Sequence, residues 1–162
     1  GRINHTVGTL LVLQKENLPM DQEINLKELL SSVIGEQQVE GFQIDFDVQE
    51  VRITGNRDIL YRMSENLIRN ALESGSGLPV HLRISGKHLE DRYKLSFADN
   101  GAGIEDLDSI YQPFFTTKNY GIGLGLMVVR DAVSRHRGEI ECHSSKGSGT
   151  EFVVYFPGRI LS

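Results

Sequence analysis

Apolar residues along the chain follow a helical spacing in four separate segments. These segments are residues 4–17, 25–34, 58–73 and 124–137. Pro19 ends the first pattern, because proline cannot continue a helix. Asn25 precedes the second pattern and is a residue type that favours the N-cap, with Glu28 three residues later as in a capping box. Gly138 follows the fourth pattern and predicts its end.

Alternation of apolar and polar residues predicts strands between and after these helices. The alternating segments are residues 42–48, 51–53, 80–84, 93–97, 139–144 and 150–156. Residues 86–91 and 146–149 would each join two of them as a hairpin. Because strands and helices interleave without a regular βαβ order, we expect an α+β fold. The predicted architecture is a two-layer sandwich, in which a mixed, mostly antiparallel sheet of about five strands carries about three helices on one face.

The composition narrows the classes of function. With 162 residues, of which 39% are hydrophobic and 24% charged, the chain has the size and composition of one folded domain rather than of a disordered segment. Its formal net charge of −5 argues against a nucleic-acid partner and against direct contact with an anionic membrane. The single cysteine, Cys142, cannot form an internal disulfide and is typical of a reducing compartment.

Two polar residues continue the buried side of predicted strands. Alternation from Tyr93 through Phe97 places Asp99 on the core-facing side, where a carboxylate needs a partner. The same parity places Thr150 on the core-facing side of the last strand, so the two side chains would be close if their strands are neighbours. Turn chemistry alone also accounts for each residue, as an Asx-turn at Asp99 and as the residue after a Ser-Gly turn at Thr150.

Two asparagines lie four residues apart on the helix predicted over 58–73. Asn66 and Asn70 lie on one side, at the margin of the apolar stripe. Buried amides without partners cost about 1–3 kcal/mol each, so the two side chains need hydrogen bonds or solvent. They are either solvated surface amides or oxygen donors beside a phosphate-bound Mg²⁺, an ion that prefers oxygen ligands.

The glycine-rich segment 101–125 shows little periodicity and predicts a long loop, which is often functional inside a compact domain. Its end, residues 121–126, leads into a helix whose first N–H groups suit a phosphate; an ordinary helix entry is the alternative. The segment lacks the lysine of a P-loop and follows no predicted strand, so neither that motif nor a dinucleotide fingerprint fits. Upstream, residues 113–118 place two phenylalanines near Lys118, which fits a small apolar cluster or a lid that reaches a phosphate.

Five short motifs follow one another along the chain. They are Asn-Leu-Ile-Arg-Asn-Ala at 66–71, Asp-Asn-Gly-Ala-Gly-Ile at 99–104, Pro-Phe-Phe-Thr-Thr-Lys at 113–118, Gly-Ile-Gly-Leu-Gly-Leu at 121–126 and Gly-Ser-Gly-Thr at 147–150. In this order and spacing, the motifs resemble the catalytic, ATP-binding domain of bacterial sensor histidine kinases. The Thr-Thr-Lys of the short lid is similar to that of nitrogen-regulation sensors. The resemblance covers about residues 25–157 and implies a flexible lid over bound ATP.

The resemblance implies a role for each motif. Asp99 would accept a hydrogen bond from the adenine amino group, with Thr150 assisting through water. Asn70 would bind Mg²⁺, and Asn66 would support the phosphate region as a catalytic residue. Lys118, the second catalytic residue, would offset charge near the γ-phosphate. The other residues implied to bind ATP line the purine, the lid or the phosphates: Gly101, Gly103, Ile104, Thr116, Thr117, Gly123, Leu124, Gly125 and Leu126.

The resemblance also implies a division of the chain and a set of partners. Residues 1–20 would be the end of a dimerisation hairpin with its linker, and residues 21–162 the catalytic domain. No phosphoacceptor histidine is evident, because His5 is followed by Thr-Val rather than by an acidic residue. The acceptor histidine would therefore lie on the protein's own dimerisation domain, and the phosphoryl group would pass on to a response regulator receiver domain. We expect a cytoplasmic location, alone or as the cytoplasmic part of a membrane-bound sensor.

One position distinguishes this sequence from the related gyrase and chaperone ATPases. Those enzymes place a water-activating glutamate four residues before the metal-binding asparagine, where this chain has Asn66. Without that base, hydrolysis should be slow and a protein side chain would have to supply the nucleophile. Two alternatives remain open: a nucleotide-gated interaction module without catalysis, and a serine kinase like the anti-sigma factors of the same fold.

Overall fold

The computed structural model describes residues 18–37, 42–73, 79–101, 103, 124–144 and 147–157. The helix predicted over 4–17 and most of the predicted loop over 101–125 lie outside the described residues. Within the described residues there are seven strands and three helices. In chain order they are β1 (Gln22–Asn25), α1 (Leu26–Glu36), β2 (Phe42–Val48), β3 (Arg52–Gly55), α2 (Arg57–Glu73), β4 (Val80–His88), β5 (Arg92–Asp99), α3 (Leu124–Arg135), β6 (Glu139–Ser144) and β7 (Thr150–Pro157).

Five of the strands form one mixed sheet in the order β2-β4-β5-β7-β6. Strands β2 and β4 are parallel, whereas the other three neighbouring pairs are antiparallel. Helix α2 packs against β4, β5 and the other two helices, and α3 also contacts β6. The α+β sandwich predicted from the sequence is therefore confirmed. Among the described helices, none is long and apolar enough to cross a membrane.

Strand β1 was not predicted, and β3 lies one or two residues later than expected. These two strands form a separate antiparallel pair, in which Ile24 lies opposite Ile53. Ile24 is the one buried residue of β1, so a four-residue strand offers too little alternation to be detected. The predicted cap at Asn25 is confirmed, because its side-chain oxygen accepts a hydrogen bond from the Glu28 backbone N–H at 3.1 Å.

Helix α2 buries the apolar stripe that the sequence predicted. The stripe residues are each 2% exposed or less: Ile59, Leu60, Met63, Leu67 and Ala71. The helix begins at Arg57, one residue earlier than expected, because Asn56 caps it. The Asn56 side-chain oxygen accepts a hydrogen bond from the Ile59 N–H at 3.1 Å, which satisfies one of the unpaired donors of the first turn.

His136 joins the start of α2 to the end of α3. One ring nitrogen, Nδ1, donates to the Ala132 carbonyl oxygen at 2.8 Å, and the other, Nε2, accepts from the Asn56 N–H at 3.1 Å. Both bonds require a neutral ring with its proton on Nδ1, and burial lowers the pKa of His136. Gly55 is required beside it, because a Cβ at that position would overlap the imidazole. His136 is therefore a structural histidine that links the two helices.

The end of α3 differs in detail from the prediction. The helix was predicted to run to Arg137 but ends at Arg135, and Arg137, with φ at 58°, takes the left-handed conformation common after a helix end. The Gly138 N–H still bonds the Val133 carbonyl at 2.9 Å and closes the helix. A Cβ on Gly138 would lie 2.5 Å from the Tyr155 carbonyl oxygen, so glycine is needed here for close approach to β7.

Candidate functional site

Two neighbouring strands bring Asp99 and Thr150 together at one end of the sheet. Asp99 is the last residue of β5 and Thr150 the first of β7, and the two residues lie directly opposite each other. Opposed residues of an antiparallel pair project from the same face. Tyr93 and Phe97 on β5 are buried, as is Phe152 on β7, so this is the face that meets the helices. The strand parity in the sequence thus placed both residues correctly.

The turn after β5 holds the Asp99 carboxylate in place. Its Oδ1 atom accepts a hydrogen bond from the Gly101 N–H at 2.8 Å, which is an Asx-turn. Gly103 has φ at 83°, a conformation that glycine adopts without strain. The local-turn interpretation and the ligand-binding interpretation of Asp99 therefore do not compete, because the turn orients the carboxylate at the end of the strand.

A hairpin end packs directly onto this turn. Gly149 has φ at 83°, and a Cβ there would overlap the backbone oxygen of Asp99. The Ser144 hydroxyl donates to the Gly149 carbonyl oxygen at 2.8 Å and lies 2.9 Å from the Thr150 hydroxyl oxygen. We did not single out Ser144 from the sequence. Parity with Ile140 on β6 would have placed it on the core-facing side beside Thr150.

Cys142 also lies near this corner, opposite Phe152 of β7. Cys142 lies two residues before Ser144, on the same face of β6. Burial first, and the negative charge of Asp99 second, raise the pKa of its thiol to about 11. The thiol is therefore neutral at pH 7.

The two asparagines of α2 differ in how their amides are satisfied. Asn66 is 6% exposed, so the solvated-surface alternative does not describe it, and its Nδ2 donates to the Arg62 carbonyl oxygen at 2.7 Å. The Nδ2 of Asn70 is buried and has no hydrogen-bond partner among the described residues. A buried amide donor of this kind suits an acceptor such as a phosphate oxygen. The carboxylate beside Asn66, Glu65, pairs with Arg69 at 3.8 Å.

This donor set fits Mg²⁺ rather than a transition metal. The described residues contain no cluster of three or more His, Cys, Asp or Glu side chains that could hold a metal by themselves. Mg²⁺ commonly takes one or two protein oxygens, and water and substrate phosphates complete its shell. The amide oxygen of Asn70 has the chemistry of such a ligand, whereas soft or nitrogen-preferring metals would need thiolates or imidazoles.

Helix α3 begins at Leu124, as the glycine-rich motif predicted. Its first N–H groups have no partner within the helix and lie at the positive end of its dipole. Leu126 is 8% exposed and packs in the hydrophobic core, so any contribution to ligand binding would come from its backbone. The remaining site predictions lie outside the described residues: Ile104, Thr116, Thr117, Lys118 and Gly123.

The structure brings some of the predicted site residues together directly. Asp99, Gly101 and Thr150 form one corner at the ends of β5 and β7, with Gly149, which was not a predicted site residue, packed against Asp99. The asparagines lie on α2, which packs against β5 and against the helix that starts at Leu124. The nucleotide roles of these residues stay predictions.

Comparison with known proteins gives the family. Residues 55–160 match the family described as histidine kinase-, DNA gyrase B-, and HSP90-like ATPase. The sensor histidine kinase ZraS of Salmonella typhimurium is 33% identical over 167 residues, which cover 96% of this chain and 35% of that protein. Sporulation kinase A of Bacillus subtilis is 32% identical, with coverage of 96% and 27%. This chain therefore spans about a third of the length of these relatives.

Solved structures agree with the sequence relatives. The catalytic domain of histidine kinase ThkA, in a nucleotide-free form, is 27% identical with a TM-score of 0.73 and covers 85% of this chain and 95% of that one. The mycobacterial sensor histidine kinase MprB has a TM-score of 0.78 at 19% identity, over 87% of this chain and 99% of that one, and so shares the fold. The resemblance seen in the five sequence motifs is confirmed. The chain belongs to the histidine kinase-, DNA gyrase B- and HSP90-like ATPase family.

Proposed function

We propose that this chain is the catalytic domain of a sensor histidine kinase, which binds Mg²⁺-ATP and donates its γ-phosphoryl group to a histidine on a separate dimerisation domain. The observation that carries the proposal is the Asp99–Thr150 corner, where a carboxylate lies opposite a hydroxyl on the core-facing side at the ends of two strands. An ionised carboxylate only accepts hydrogen bonds, so it suits the exocyclic amino group of adenine. The family is one of ATPases, which supports a nucleotide at this corner.

The phosphates would lie between α2 and the start of α3. The first N–H groups of α3 suit phosphate oxygens, and the buried Nδ2 of Asn70 is a further donor toward them. Asn70 would hold Mg²⁺ through its amide oxygen, and the ion when bound would neutralise phosphate charge. Lys118, outside the described residues, would add a positive charge near the γ-phosphate. Phosphoryl transfer depends mainly on such positioning and electrostatics, so these groups are sufficient in kind.

The acceptor is proposed to be a histidine rather than water. Asn66 stands where a water-activating carboxylate would be needed, and an amide has no basic group to take a proton. The neighbouring Glu65 is engaged with Arg69 along the helix. ATP hydrolysis by this domain should therefore be slow without an acceptor. The partners would be the protein's own histidine-bearing domain and, after it, a response regulator receiver domain.

A phosphotransfer assay in trans tests the proposal. The chain is mixed with a histidine-bearing hairpin domain and γ-labelled ATP, and the label on protein is tested for acid stability. Acid-labile label on the hairpin domain is the expected result. Acid-stable label would indicate a serine kinase, and nucleotide binding without any label would indicate an interaction module.

Two variants in the same assay separate the site from the stability of the helix. Asn70→Ala should abolish the Mg²⁺-dependent transfer and leave much of the nucleotide binding. Ser64→Ala is the matched control, because Ser64 is fully buried and its hydroxyl donates within the same helix to the Leu60 carbonyl, 2.9 Å away. The control should transfer at the wild-type rate. Full activity of Asn70→Ala would remove its metal role.

A further inference from the structure

Ser144 occupies a position that neither the sequence motifs nor the proposed reaction uses. It is the last residue of β6 and lies directly opposite Thr150 of β7. Its hydroxyl oxygen is 2.8 Å from the Gly149 carbonyl oxygen and 2.9 Å from the Thr150 hydroxyl oxygen. Thr150 is only 7% exposed, so the partners of its hydroxyl are set mainly by the protein.

The number of protons decides the direction of these hydrogen bonds. A hydroxyl carries one proton and two acceptor positions, whereas a carbonyl oxygen can only accept. The Ser144 proton is donated to the Gly149 carbonyl. The bond between the two hydroxyls must then use the Thr150 proton, with the Ser144 oxygen as acceptor. The Thr150 oxygen then acts toward any further partner only as an acceptor, because its one proton is already donated.

In this orientation the side chains of Thr150 and Asp99 both act as hydrogen-bond acceptors toward a ligand. Asp99, opposite Thr150, is acceptor-only when ionised, and its Oδ1 already accepts from the Gly101 N–H. We propose that Ser144 is a positioning residue for nucleobase choice: it holds the Thr150 hydroxyl as an acceptor, so that the corner takes a purine with an amino group at its sixth position and rejects one with a carbonyl there. This inference rests on the proposed function, since it requires the base to lie at this corner.

The comparison of ADP with inosine diphosphate tests the inference. At the sixth position of the purine, ADP carries an amino group and inosine diphosphate a carbonyl. Calorimetry would give the ratio of their affinities for the wild-type chain and for Ser144→Ala. Without Ser144, the Thr150 proton is released and can turn toward a carbonyl on the base. The preference for ADP should fall roughly fivefold or more, the scale of one neutral hydrogen bond.

Three further variants separate positioning from a general loss of structure. Ser144→Thr keeps the hydroxyl and should restore the wild-type preference. In a Thr150→Val background, Ser144→Ala should change the preference no further, because no hydroxyl remains to be oriented. Ser96→Ala is the matched control: Ser96 is a buried serine on β5 whose hydroxyl donates to Glu151 at 2.6 Å on the other face of the sheet. It should leave the preference unchanged.

Each outcome has a distinct meaning. A wild-type preference in Ser144→Ala would overturn the role of Ser144, as would an equal loss of preference in the Thr150→Val background. Either result with normal ADP binding by the wild-type chain leaves the proposed function intact. If the wild-type chain binds neither nucleotide, the proposed function fails, and this inference fails with it.

Discussion

The neutral state of His136 makes the stability of the domain depend on pH. The ring is 7% exposed, donates from Nδ1 to the Ala132 carbonyl and accepts at Nε2 from the Asn56 N–H. A protonated ring would carry N–H groups on both nitrogens, so the one at Nε2 would face the Asn56 N–H instead of accepting from it. Burial lowers the pKa of His136 from its ordinary value of 6.5, although the bond to Ala132 opposes this shift. We predict that the variant His136→Gln removes this pH dependence.

The sign and size of this pH dependence follow from how many protons the folded and the unfolded chain bind. Below about pH 6.5 the unfolded chain protonates His136 while the folded chain does not, so the unfolded state gains up to one proton. The free energy of unfolding should therefore fall as pH falls, by up to roughly 1.4 kcal/mol per pH unit, until the folded-state pKa is reached. Above about pH 7.5 the free energy of unfolding no longer depends on pH through His136, since the ring is neutral in both the folded and the unfolded chain.

Urea unfolding from pH 5 to 8 measures this difference directly. His136→Gln keeps a side-chain oxygen that can accept from the Asn56 N–H but cannot titrate, so its curve should be flatter than the wild-type curve below pH 6.5. His143→Gln is the control, because His143 is exposed and its partner Glu141 lies on the same strand. The control should keep the wild-type slope. Parallel curves for the wild-type chain and His136→Gln would refute the neutral-ring account.

Three further predictions concern single residues. Gly147→Ala should lower the free energy of unfolding by about 1–2 kcal/mol, through its positive φ alone. Gly149→Ala should lower it further and also weaken nucleotide binding, because its Cβ would overlap the Asp99 backbone. Equal losses for the two variants in chemical unfolding would contradict this. Gly35→Ala, with open space around an exposed helix position, should raise stability by about 0.5–1 kcal/mol, and no gain in the unfolding midpoint would count against it. Cys142, with its pKa near 11 instead of 9.0, should react with iodoacetamide about 100-fold more slowly than in the unfolded chain, and equal rates would show an accessible thiolate.

Periodic features of this fold could be predicted because they depend on local rules. The apolar stripe of α2 follows from a repeat of 3.6 residues, and the opposition of Asp99 and Thr150 follows from strand parity once the two strands are neighbours. The cap at Asn25 follows from its residue type and from Glu28 three positions later. Each of these signals lies within a few residues of the feature that it predicts.

Features that depend on distant parts of the chain could not be predicted. The bond between Asn56 and His136 joins residues 80 positions apart, and neither residue carries a local signal for it. Gly138 has the residue type of a helix end, but its close approach to Tyr155 depends on how β7 packs. Strand β1 contributes a single buried side chain and exists because β3 pairs with it. Tertiary packing decides these features, and the sequence shows only residues compatible with it.

The central claim is that Asp99 anchors the nucleobase, and calorimetric titration of ADP into the wild-type chain and Asp99→Asn tests it most directly. The substitution replaces a carboxylate by an amide of the same shape, so the Asx-turn to Gly101 can persist. Asp45→Asn, in an exposed pair with His81, is the matched control. We predict that Asp99→Asn weakens binding by about 1–3 kcal/mol, the scale of a charge-assisted hydrogen bond, while the control binds normally. Unchanged affinity in a folded Asp99→Asn variant would contradict the claim.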